Sequence, residues 1–262
     1  CSLCGKLLRK EQEPSSGNGG APAVRKGSPT KTSVPAPGSS LSSKTVMGIP
    51  VPFLYLFLGA VLAPVFLLHP ILGYMGWFIE ALVHEMGHTL AAWFFGCPAI
   101  PLIRLDGHAA AAHRPQMFLL TLLVWSSLAV GAWHFFRRKK CAYCIPLAAG
   151  TVLYPLLAYT GAKEFFHLIA GHSGELIFAT VFFWRTLTGG YFQENERPVY
   201  AMLAWYLWAH NAFFCWNLMY SEASRQWYYN HGSFGLTNDY IRVAHMLGWS
   251  LESVAGLMFL VS

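Results

Sequence analysis

The sequence predicts an all-α polytopic membrane protein, and three observations predict it. Hydrophobic residues make up 55% of the 262-residue chain and charged residues only 11%, where an ordinary soluble domain carries about 25% charged residues. Mean hydropathy is +0.39. The apolar residues gather into runs of about 20, the length a helix needs to cross a hydrocarbon core roughly 30 Å thick. Backbone groups find no partner in lipid, so runs of this length must be helices. Long helices of a soluble core would show polar faces, which these runs lack.

Residues 1–48 are a different material. Residues 1–10, "CSLCGKLLRK", space Cys1 and Cys4 as half of a zinc-binding pair, and Gly5 permits the turn that aims both thiolates at one metal. The string resembles the closing knuckle of a zinc ribbon, whose other Cys pair is expected upstream, since the chain begins at Cys. A regulatory partner reaching the protein through this ribbon is the expectation that follows. A second pair, Cys141 and Cys144, either completes four ligands with the first or is an unrelated pair of thiols. Residues 11–48 are rich in Ser, Pro, Gly and Lys and bury too little to offset ordering entropy, which predicts a disordered linker.

Residues 49–262 read as the transmembrane domain. Its apolar runs are 49–68, the opening of 71–97, 117–136, 144–162, a segment within 164–188, 199–220 and 241–262, about six or seven transmembrane helices. Reduced thiol pairs and the basic linker place the N-terminus on the cytoplasmic side, with no cleavable signal before the first run. The basic stretch 137–140 follows three runs later and should also be cytoplasmic, so one of those runs is re-entrant or one cluster breaks the rule. The net charge of +6 suits an anionic lipid surface. No aromatic and basic pattern of a nucleic-acid module occurs, and no nucleic-acid partner is expected.

Within the second run stands "FIEALVHEMGHTLAAWFF", with Glu80, His84, Glu85 and His88 in otherwise apolar surroundings. Each ionisable side chain at mid-depth costs at least about 2.5–3.5 kcal/mol unless paired or hydrated. His84 and His88 stack on one helical face and can converge on a single Zn²⁺. Glu85, beside that face, stands where a carboxylate can take a proton from water without binding the metal. The plainer reading is a set of hydrogen bonds between packed helices.

The HEMGH string inside an apolar helix, followed by the polar hairpin-like segment 98–113, resembles the site-2 protease family of intramembrane zinc metalloproteases. The resemblance covers residues 75–115. It implies that His84 and His88 hold zinc, that Glu85 activates water, and that a carboxylate from a later membrane segment is the third ligand. Leu105-Asp106-Gly107 matches a family string but lies too soon after His88, so Asp106 reads as a turn residue.

The third ligand must then come from further along. In "KEFFHLIAGHSGELIF", Glu164, His167, His172 and Glu175 lie in or beside an apolar run. His172 and Glu175 share a helical face, with Gly171 and Gly174 clearing room for the helix that carries His84. These two are the first choice as ligand. Asp239 is the second, and its ordinary reading is a helix N-cap shared with Thr237 and Asn238. His210, His245 and Glu252 are further candidates to line a polar interior.

The expected activity is zinc-dependent endopeptidase cleavage of a membrane-spanning substrate, with Glu85 as general base. Two other classes stay open. One is a di-iron membrane oxygenase, faintly echoed by Glu164-x-x-His167, although no HxxHH string occurs. The other is a non-catalytic metal-binding scaffold or sensor.

Overall fold

A computed structural model describes residues 45–46, 48–105, 108–188, 194–232 and 237–262. The Cys1/Cys4 knuckle, nearly all of the linker, and the Asp106-Gly107 turn lie outside the described residues. The described end of the linker forms a small exposed antiparallel pairing, β1 (Thr45–Val46) with β2 (Ile49–Pro50).

The described residues contain nine helices: α1 (Val51–Leu68), α2 (Pro70–Phe94), α3 (Phe118–Arg137), α4 (Cys141–Ala158), α5 (Ala162–Thr188), α6 (Arg197–Tyr220), α7 (Glu222–Asn230), α8 (Asp239–Leu247) and α9 (Leu251–Val261). They begin and end close to the apolar runs. Four of them, α1, α3, α4 and α5, are long and apolar enough to cross a membrane. The tally becomes five if α8 and α9 make one bent span.

That is fewer than the six or seven spans expected, for two physical reasons. Helices α2 and α6, of 25 and 24 residues, have the length to span, but their composition is too polar to satisfy the same test. Glu80, His84, Glu85 and His88 lie on α2, and Arg197, His210, Asn211 and Asn217 on α6. The run 241–262, expected as one helix, is two helices bent by 109°. Gly248 closes α8 with a left-handed φ of 66°, and the Ser250 hydroxyl accepts from Ser253 N to open α9. A glycine C-cap followed by a serine N-cap is a strong stop and restart.

The bundle packs around α5 and α6. One apolar cluster joins α5, α6, α8 and α9 through Leu168, Leu218, Tyr240 and Leu251; a second joins α1, α2, α5 and α6 through Ala63, Val83, Ala179 and Leu207. Between α2 and α5 the backbones touch. A Cβ added at Gly87 would meet Ala170 O at 2.2 Å, and one at Gly174 would meet Gly87 Cα at 2.9 Å. Only glycine permits that approach.

After α2, Gly96 turns the chain at a φ of 80° and leads into the hairpin expected there. Strand β3 (Ala99–Ile103) pairs antiparallel with β4 (Ala109–His113), Ala99 opposite His113 and Ile103 opposite Ala109. Trp93 Nε1 donates to Ala99 O at 2.8 Å, and Tyr74 Oη to Leu105 O at 3.2 Å, so α2 carries the hairpin along its side. On the surface, Arg225 donates to Glu222 and to the α6 carbonyls of Leu218 and Met219, tying α7 to the end of α6. The same guanidinium hydrogen bond holds the Glu222 carboxyl below its usual range.

Candidate metal centre

Helical spacing places His84 and His88 one turn apart, and two different partners fix their rings. His84 Nδ1 lies 2.7 Å from Glu175 Oε1, and His88 Nδ1 lies 2.7 Å from the backbone oxygen of His167. Both oxygens are acceptors, so each Nδ1 carries the proton and each Nε2 presents a lone pair. The two Nε2 atoms are 3.1 Å apart.

Asp239 closes the triangle. Its Oδ2 is 2.9 Å from His88 Nε2 and 3.4 Å from His84 Nε2. Ligands bound tetrahedrally at about 2.0–2.2 Å stand about 3.3–3.6 Å apart. The observed edges are within a few tenths of an ångström of that spacing. Three acceptors pointed at one another are repulsive unless a cation or proton sits among them. A third wall comes from α5: a Cβ added at Gly171 would lie 2.4 Å from His84 Nε2 and 2.6 Å from His88 Nε2. The missing side chain leaves a space of metal size beside both nitrogens. By donor chemistry and by room, these residues could hold a metal ion.

The N-cap reading of Asp239 is corrected by the backbone. Asn238 occupies the cap position and makes no side-chain cap bond, while Asp239 is the first residue of α8. Its carboxylate turns to the histidines. The amide of Asn238 donates instead to the Tyr228 carbonyl, which ties the start of α8 to α7.

His172 and Glu175, the first choice from sequence, are in the same buried cluster on the other side of the His84 ring. Glu175 is fully buried. Its Oε1 faces His84 Nδ1 and lies 3.2 Å from His172 Nδ1, and these three side chains also form a group able to hold a metal. That group uses the Nδ1 edge of His84 and leaves His88 out. An ion shared by His84 and His88 must use their Nε2 atoms, where Asp239 stands. The His172 ring packs against Phe214 and Tyr240, at centroid distances of 5.1 and 4.4 Å.

Glu85 is buried next to the triangle, and its Oε2 has no hydrogen-bond partner. Both His84 and Glu85 line a cavity of about 720 Å³, bordered by α2, α8 and the alanines 109–111 of β4. The small side chains of β4 keep that wall open. Glu80, His167, His172 and His210 also line this cavity; His245 and Glu252, the other candidates for a polar interior, do not.

Sequence reasoning ranked Asp239 second because its neighbours Thr237 and Asn238 are cap formers. The signal that could have raised it is scarcity: the chain has two aspartates, and the other, Asp106, lies outside the described residues. Of the thiols, Cys141 is exposed and Cys144 half-buried, both free. No protein-family model, no curated protein and no solved structure matches this chain.

Proposed function

We propose that residues 49–262 form an intramembrane zinc endopeptidase of the site-2 protease type, with zinc held by His84, His88 and Asp239 and with Glu85 as general base. Its substrate is a membrane-spanning segment of another protein. The observation that carries this reading is the triangle of Nε2, Nε2 and Oδ2 with edges of 3.1, 2.9 and 3.4 Å beside a buried, unpartnered carboxylate oxygen of Glu85.

Held by that triangle, zinc would supply a Lewis acid and would lower the pKa of a water. Glu85 would take a proton from water in the cavity at its unpartnered oxygen and return it to the leaving amide nitrogen. Glu175 and the His167 carbonyl keep both imidazoles in the Nδ1-protonated tautomer throughout. The cavity between α2, α8 and β4 admits an extended chain. A substrate helix must unwind locally to enter, because its carbonyls are otherwise spent within the helix. In the membrane, α2 and α6 cross beside the four apolar helices, with their polar faces turned to this interior, and the N-terminus lies on the cytoplasmic side.

The test is a pair of variants assayed for zinc and for cleavage of candidate membrane substrates. Glu85→Gln is isosteric but cannot act as a base; it should keep the zinc and lose about 10²–10⁴ in rate. His88→Ala should lose the zinc of this site. Wild-type cleavage by Glu85→Gln would sink the proteolytic reading. Zinc bound at the triangle with no peptide cleaved by any form would favour the scaffold.

A further inference from the structure

Behind the triangle, on the far side of His84, lies a second convergence of donors from three helices. Glu80 of α2, Glu175 of α5 and His210 of α6 place one ligand atom each within 4.8 Å of one another. His210 Nδ1 is 3.9 Å from Glu80 Oε1. Two of the atoms are buried without a hydrogen-bond partner: Glu175 Oε2 and His210 Nδ1. Glu175 is fully buried, and the Glu80 side chain is 13% exposed.

We propose that Glu80, Glu175 and His210 form a second divalent-cation site, separated from the first by the His84 ring.

Charge supports it. Two carboxylates this close, one of them fully buried, repel unless a cation or a shared proton lies between them. One imidazole and two carboxylates are donors that zinc takes readily, with water in the fourth position. The cavity reaches Glu80 and His210, so an ion has a path in. Glu175 then has a task for each oxygen: Oε1 accepts from His84 and Oε2 binds the second ion. The two ions share no ligand atom, which separates this arrangement from a carboxylate-bridged di-iron pair. The second ion ties α2, α5 and α6 together and fixes Glu175, which in turn fixes the His84 ring.

The site shares no donor with the triangle, so it stands or falls separately from the proteolytic reading. Its test is metal stoichiometry on the full-length chain in detergent, with Cys1, Cys4, Cys141 and Cys144 changed to Ser to silence the thiols, stripped by chelator and re-equilibrated with Zn²⁺. The expected content is two ions per chain, falling to one in His210→Ala, in Glu80→Gln and in His88→Ala, and to none in the His88→Ala/His210→Ala pair. X-ray absorption of His88→Ala should then report an oxygen-rich shell with a single imidazole. A single ion in the parent, lost in His210→Ala and kept in His88→Ala, would leave the second site without the first, whereas a single ion that survives in His210→Ala overturns the proposal and leaves a shared proton between the carboxylates. A folded His210→Ala that still binds two overturns it as well. Two ions in both the parent and His88→Ala, falling to one in His210→Ala, would remove the first site and keep the second.

Discussion

Helices α2 and α5 meet along a polar, glycine-lined seam, whereas α3 and α4 form an apolar pair with most of its side chains exposed. In the α3–α4 pair the polar groups are handled mostly within each helix. Ser126 and Ser127 both donate to Leu123 O, and Thr151 donates to Leu147 O. One bond, Trp125 Nε1 to Thr151 O at 2.8 Å, crosses between them. The α2–α5 seam is the reverse. His88 Nδ1 crosses to a backbone oxygen of α5, His84 crosses to Glu175, and glycine backbones come into contact. In lipid, apolar side chains gain little by leaving their neighbours, so close packing and cross-helix polar bonds hold helices together. The seam is where the bundle is held in register, and it is also where the site is.

The sharpest way to break that contrast is to add one methyl group on each side of it. Gly171→Ala puts a Cβ 2.4 Å from His84 Nε2 and 2.6 Å from His88 Nε2. Both rings are pinned through Nδ1 and can yield only by breaking those bonds, so zinc affinity at the triangle should fall by at least about 100-fold, more than the usual loss from an outer-shell change. Gly150→Ala on α4 meets nothing within 4 Å and should leave zinc unchanged. It should even stabilise the protein slightly, since glycine costs a helix roughly 0.5–1 kcal/mol relative to alanine. Equal metal binding by the two variants in a chelator competition would show that the seam is no tighter than the α3–α4 pair.

The two regions also differ in how far they could be read from sequence. The α3–α4 pair was legible to within four residues at each end, because length and apolar composition are local properties and lipid imposes them on each helix separately. On α2, the spacing of His84 and His88 and the place of Glu85 were legible for the same reason. What crosses the seam was not. Sequence identified Glu175 and His172 as close to the histidines, and they are, but spacing cannot say which edge of an imidazole a carboxylate will meet. That depends on the rotation of α5, set by Gly87 against Ala170. Asp239 depends on still more: the break at Gly248, which lets α8 turn its first residue inward, appears in sequence only as one glycine within an apolar run.

A milder change on the seam removes charge and keeps shape. In Glu175→Gln, the amide oxygen can still accept from His84 Nδ1, but the ring loses its anionic partner and some of its basicity. Zinc affinity at the triangle should fall by about 10–100-fold, the usual effect of an outer carboxylate on a ligating histidine. Competition with a chelator at fixed pH measures it. An unchanged constant would reduce Glu175 to packing, and the seam would then differ from the α3–α4 pair only in its glycines.

The smallest effect is expected where α8 is tied to α5 at the surface. Arg242 Nη2 lies 2.6 Å from Glu164 Oε1, and the pair is one turn of helix from Asp239, so it looks like the clamp that holds the third ligand in place. Burial argues otherwise. The two side chains are 41% and 54% exposed, and an ion pair in that setting contributes about 0–1 kcal/mol. Helix α8 is held instead by Tyr240, Ile241, Val243 and Ala244, all buried, and losing an aromatic of that kind costs about 3–5 kcal/mol. Arg242→Ala should therefore weaken zinc at the triangle by no more than about fivefold, the factor equivalent to 1 kcal/mol. Tyr240→Ala should weaken it far more and lower the melting temperature as well. A loss beyond tenfold in Arg242→Ala, with melting unchanged, would mean that the position of Asp239 is set electrostatically from outside the bundle rather than by the packing that positions His84 and His88.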